Sequence, residues 1–178
     1  MRTQFKLAVL AGAACVAMGA LPAAAVPFDA TSPDYGPSST GSIHQFTINS
    51  PGASGSGDAT ITFDIKGYGS IEGAGVAGED QFKFTLNDEL VFSGYFNMGG
   101  GGVEAIAFLY APGGAFWFTN SAGPSQGGTT HVEIGQTLIA GDNTFKFNYA
   151  GSEGFDDEAW GLENFHVSAD IAPAIFPI

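Results

Sequence analysis

The chain has 178 residues, 18 acids against five basic residues, a formal charge of −13 and a pI near 4.1. Such a surface repels phosphate backbones and anionic membranes, so nucleic acid is not an expected partner. The single cysteine, Cys15, lies in the first, apolar stretch, which removes disulfides, thiol catalysis and thiolate-bound zinc from the chain that follows it.

Residues 1–25 read as a signal peptide. Arg2 and Lys6 form a basic start, "LAVLAGAACVAMGAL" is a short apolar core, and Ala23 to Ala25 make a small-residue cleavage site. Gly12 stands where a lipoprotein signal would have leucine, so Cys15 is not read as a lipidation site. The mature chain keeps Lys66, Lys83 and Lys146 against all 18 acids, a formal charge of −15. At about 153 residues it is long enough to bury a core as one domain.

Residues 26–41, "VPFDATSPDYGPSSTG", are aperiodic and Pro/Ser-rich and read as a tether or extended arm. Strand signals follow over 42–169. "HQFTIN" alternates through Phe46 and Ile48, and "ATITFDIKGYG" through Ile61, Phe63 and Ile65. "DQFKFTLN" alternates through Phe82, Phe84 and Leu86, "ELVFSGYF" through Leu90, Phe92 and Phe96, and "NTFKFNY" through Phe145, Phe147 and Tyr149. Period two with aromatics on one side marks half-buried antiparallel strands. "LNDEL" and "IAGDNTF" are hairpin turns. The expected fold is an all-β antiparallel β-sandwich, jelly-roll-like, of about eight to ten strands. In the closing run, Trp160 and Leu162 fall out of phase with Phe165 and Val167, and a bulge near Glu163 and Asn164 would bring all four to the core side. Residues 170–178 read as a tail.

Residues 62–102, "GDNTFKFNYAG" (141–151) and "DDEAWGLENFHV" (156–167) resemble the secreted β-sandwich proteins of Gram-negative bacteria of the PEP-CTERM-associated type. The resemblance implies export, to the cell exterior or the periplasm, and association with extracellular polysaccharide or biofilm matrix. It departs at the end: "IAPAIFPI" has neither the Pro-Glu-Pro, nor the membrane-length apolar run, nor the basic tail, so exosortase-type sorting is not carried over and a stable membrane anchor is not expected.

Catalytic signatures are weak. His44, His131 and His166 are scattered, and no nucleophile elbow or phosphate loop is present. Asp64, Glu72, Glu104 and Glu133 supply carboxylates for glycoside chemistry, but about 125 residues of sandwich leave little chain for a cleft. A non-catalytic binding module is the first expectation, a structural matrix protein without a discrete ligand site the second, and a small glycan-active enzyme the third.

For glycan binding, Trp117 in "AFWFTN" points outward if Phe116 and Phe118 point inward, with Asn120, Tyr95 and Tyr110 as companions. For a cation, two acidic pairs stand at strand mouths after glycine-rich loops: Glu79 with Asp80, and Asp157 with Glu158, preceded by Asp156. If both mouths lie at one end of the sandwich, their carboxylates converge and calcium is the expected cofactor. It is a hard cation that takes six to eight oxygens. The leading ligands are Asp80, Asp157 and Glu158, then Asp156 and Glu79, with Asp64 more distant.

Overall fold

The computed structural model describes residues 25–50, 57–76, 79–102, 105–151 and 154–171; the signal-peptide reading up to residue 24, residues 172–178 of the expected tail and Glu104 lie outside them, while Asp170 and Ile171, expected in the tail, pair with β1 as the end of the last strand. The described residues form strands and no helix. In chain order the strands are β1 (Val26–Thr31), β2 (Tyr35–Ser39), β3 (Ile43–Ser50), β4 (Gly57–Gly69), β5 (Gln81–Leu86), β6 (Glu89–Tyr95), β7 (Ala107–Tyr110), β8 (Phe116–Ser121), β9 (Gly128–Leu138), β10 (Gly141–Ala150) and β11 (Glu158–Ile171).

They build two antiparallel sheets. The larger has the order β1-β11-β4-β9-β8, with β2 also on β11; the smaller has β3-β10-β5-β6-β7. Without β2, β7 and β8, the remaining eight strands run 1-8-3-6 in one sheet and 2-7-4-5 in the other. That is the double Greek-key connectivity of a jelly roll. β7 and β8 are inserted between β6 and β9 and add one edge strand to each sheet.

Alternation places the core as its period requires. Ile61, Phe63 and Ile65 of β4 face Phe82 and Phe84 of β5 and Phe145, Phe147 and Tyr149 of β10, all buried. Phe84 and Phe147 stack with centroids 4.7 Å apart, and Phe63 meets both edge-on at 5.5 and 5.2 Å. Offset and edge-to-face aromatic pairs add about 0.5–1.5 kcal/mol each beyond the area they bury. The β5–β6 hairpin turns on Asn87 and Asp88, both at positive φ, as a two-residue turn between twisted strands demands.

The structure departs from simple alternation in three places. Residues 26–41, expected as a tether or arm, form β1 and β2, which line one edge of β11: β1 beside its second half, β2 beside its first. On β6 the register shifts opposite Phe84 and Thr85, so Val91 and Phe92 are both buried while Leu90, expected in phase with Phe92, turns outward. On β11 the expected bulge is present: the pairing with β4 slips between Glu163 and His166, and Asn164 sits at φ +53°. Asp34 accepts the Asn164 backbone N–H and Asp64 accepts its side-chain amide, which holds the slip in place. Trp160, Leu162, Phe165 and Val167 consequently all enter the core.

Candidate functional site

β4 ends where β11 begins, since Glu158 pairs with Gly69 and the Ser70 N–H donates to the Asp157 carbonyl. The loop from β4 to β5 and the loop from β10 to β11 therefore share one end of the sandwich. The first folds on a reciprocal clamp: the Glu72 N–H donates to Asp80 Oδ2 at 3.1 Å, and the Asp80 N–H donates to the Glu72 carbonyl at 3.4 Å. In the second, a turn closed by Glu158 N–H onto the Gly154 carbonyl delivers Glu158 into the strand with its side chain inward.

The outcome is a cluster of three carboxylates. Oxygens of Glu72, Asp80 and Glu158 all lie within 4.8 Å of one another. Asp80 and Glu158 are fully buried and Glu72 is half-buried. The Thr40 hydroxyl donates to Glu158 Oε2 at 3.4 Å from the turn between β2 and β3. Gly151 packs so closely on Asp80 and Thr40 that a Cβ there would overlap the Asp80 carboxylate. The fully buried Tyr149 phenol senses the cluster. Burial pushes its ionisation well above the ordinary tyrosine value, and the charges of Asp80, Glu158 and Glu72 add to the shift against a lowering contact from the Phe96 backbone.

Of the expected cation ligands, the structure brings together Asp80 and Glu158. Asp157 points out at the same mouth and accepts the Ser70 hydroxyl at 3.1 Å. Asp156 is exposed on the turn, and Glu79 is exposed and accepts the Gly75 N–H at 3.0 Å. Strand alternation explains the split, because consecutive residues at a strand mouth face opposite ways and only one of each acidic pair turns inward. Glu72 completes the cluster although the sequence reading placed it only among scattered carboxylates. Its signal was an isolated acid in a glycine-flanked loop, eight residues before Asp80.

Asp64 is elsewhere, on the outer face of the larger sheet. There it contacts His131 Nδ1 at 2.6 Å and accepts the Asn164 amide at 2.7 Å. Phe116 and Phe118 flank His131 on that face, with ring centroids 6.4 and 5.3 Å from the imidazole, and each is about half exposed. The phase on β8 is therefore the reverse of the one on which Trp117 was expected to face outward. Trp117 pairs with the buried Val132, so it shares the inner side and lies 4.0 Å from Phe108 of β7, while Phe116 and Phe118 pair with Glu133 and His131. Asn120 continues the outer row of β8. Tyr95 and Tyr110 belong to the smaller sheet, Tyr95 beside Glu79, whose charge and hydrogen bond join burial in raising its ionisation.

Compared with known proteins, the chain matches no protein-family model and no curated protein.

Proposed function

We propose that the protein is an exported, non-catalytic β-sandwich module of the extracellular or periplasmic space. In this reading a divalent cation, calcium by preference, stabilises it, and it associates with extracellular polysaccharide. The observation that carries the reading is the convergence of Glu72, Asp80 and Glu158 at one end of the sandwich. Oxygens bound to one calcium ion at 2.3–2.6 Å lie at most about 5 Å apart, and the three carboxylates meet that limit. The cation removes the mutual repulsion of buried like charges and ties the β4–β5 loop to the start of β11. The same burial argues against glycoside hydrolysis by these acids, since Asp80 and Glu158 have no surface for a polymer to reach.

The polysaccharide part of the reading is supported by the outer face of the larger sheet. Phe116 and Phe118 offer exposed rings for the apolar faces of sugars. Beside them Asp64, fixed by His131 and Asn164, offers a hydrogen-bonding carboxylate. The resemblance to secreted β-sandwich proteins of biofilm-forming bacteria points the same way. The test is retention on a panel of immobilised polysaccharides in calcium and in EGTA. Retention on at least one glycan, lost in Phe116→Ala/Phe118→Ala with an unchanged melt, is the expected result. No retention on any glycan in either condition would overturn the polysaccharide reading.

A further inference from the structure

Ten large apolar side chains are exposed among the described residues, and six fall between positions 106 and 118: Ile106, Leu109, Tyr110, Phe116, Trp117 and Phe118. The exposed apolar surface is therefore concentrated on β7, β8 and their connection rather than scattered. Concentration of this kind marks an interaction surface.

The charge distribution says what can approach it. Residues 105–132 contain no Asp, Glu, Lys or Arg, the longest uncharged run in a chain of formal charge −13. Two copies of this protein repel each other over most orientations. At this run they meet without opposing carboxylates along the strand.

The backbone supplies the means. Among the described residues β8 is the last strand of the larger sheet and is hydrogen-bonded in the sheet to β9 alone, in unbroken register from Phe116↔Glu133 to Ser121↔Gly128. Proteins blunt such edges with charges, proline, bulges or very short strands. The opposite edge, β1, carries Pro27 and Asp29, and β7 has four residues, a register shift against β6 and Pro112 just beyond it. β3 is regular, but its outward row of Ile43, Gln45, Thr47 and Asn49 is polar after the first residue and holds no aromatic ring. Among these edges β8 alone combines regular pairing, no charge, no proline and exposed aromatic side chains.

We propose that β8 is a homotypic assembly edge: two copies of this chain pair antiparallel through β8 about a twofold axis, joining their larger sheets. In such an isologous contact each patch meets its own copy. Phe116 and Phe118 then form cross-strand pairs with their counterparts, and the main chain of each β8 completes its ladder on the other. The interface contains no ion pair, and repulsion between the acidic bodies opposes it. Its salt dependence is thus opposite to that of a salt-bridged dimer: association tightens as salt rises.

The pairing needs neither cation nor glycan, so it is measured on the mature chain in EGTA without polysaccharide. Sedimentation equilibrium is run at about 0.1 M and about 1 M salt, between which the screening length falls from about 10 to about 3 Å. The expected result is a monomer–dimer equilibrium with a lower Kd at high salt. Phe118→Lys is expected to raise that Kd at least about tenfold, and Thr47→Lys on β3 to leave it unchanged. Asn120→Lys, exposed on the same strand, repeats the test if Phe118→Lys lacks a cooperative melt. A wild-type monomer under all conditions would overturn the proposal. So would a dimer that survives both β8 variants, or one lost equally in Thr47→Lys.

Discussion

Replacing Glu158 by glutamine separates a cation site from a buried acidic turn. Glu158 is fully buried, with a carboxylate oxygen no more than 4.8 Å from oxygens of Glu72 and Asp80. At an effective dielectric constant of about 20, two unit charges at that distance repel by about 3.5 kcal/mol. Proton uptake by closely spaced carboxylates caps such a cost without abolishing it. Glutamine keeps the shape and removes one charge, so in EGTA the Glu158→Gln variant melts at or above the wild-type temperature. Calcium reverses the order. For an extracellular site with a Kd of about 10⁻⁴ M, about 10 mM calcium is a hundredfold excess and stabilises the wild type by about 2.7 kcal/mol. In a domain of this size that raises Tm by about 8 °C. The variant has lost a ligand and gains much less. The assay is a thermal melt followed by circular dichroism in calcium, in EGTA, and in magnesium at matched ionic strength. Crossing curves, with the wild type below the variant in EGTA and above it in calcium, are the expected result. Superposable wild-type melts in all three media would refute the reasoning, as would a variant destabilised equally with and without calcium.

Two further outcomes follow from the interior. His44 stacks on Tyr35 at 4.2 Å and lies beside Phe46 and Phe147, and burial lowers its pKa from the ordinary 6.5. The unfolded chain thus takes up the His44 proton more readily than the folded one. Its contribution to stability is complete above pH 6.5 and is lost as the pH falls below that value. His44→Phe is expected to narrow the difference in Tm between about pH 8 and about pH 5, and an unchanged difference would contradict the assignment. Phe147→Ala removes the ring stacked on Phe84 and met edge-on by Phe63 and Phe165. It is expected to cost about 3–5 kcal/mol in chemical denaturation, and a loss below about 1 kcal/mol would mean the core repacks around it.

The core was legible because β4, β5, β10 and the end of β11 bury one face each, and a half-buried strand writes that burial into every second residue. Legibility failed where register is set by something other than alternation. Leu90 is turned out by a bulge against β5, which depends on the partner strand and leaves no mark in β6 itself. Trp117 takes its side from Val132 on β9, so its orientation followed from a pairing that local sequence does not state. Residues 26–41 hold proline and serine because they flank β11 at the sheet's margin, where a missing N–H is tolerated. Their composition resembles a linker for that reason. At the candidate cation site, Asp80 and Glu158 were legible as acids at strand mouths. Glu72 was not, because its place comes from the fold of the β4–β5 loop around Asp80.

The position of β11 bears on how the protein is made. Its fourteen residues lie between β1 and β2 on one side and β4 on the other, and Val26 pairs with Ile171 across almost the whole chain. Of the described strands the ribosome delivers β11 last. Until then, β1 and β2 have no partner in the larger sheet, and β4 lacks one of its two neighbours. Pairings this distant also form slowly. A nascent chain therefore cannot join β1 and β2 to the rest of the larger sheet until β11 has emerged.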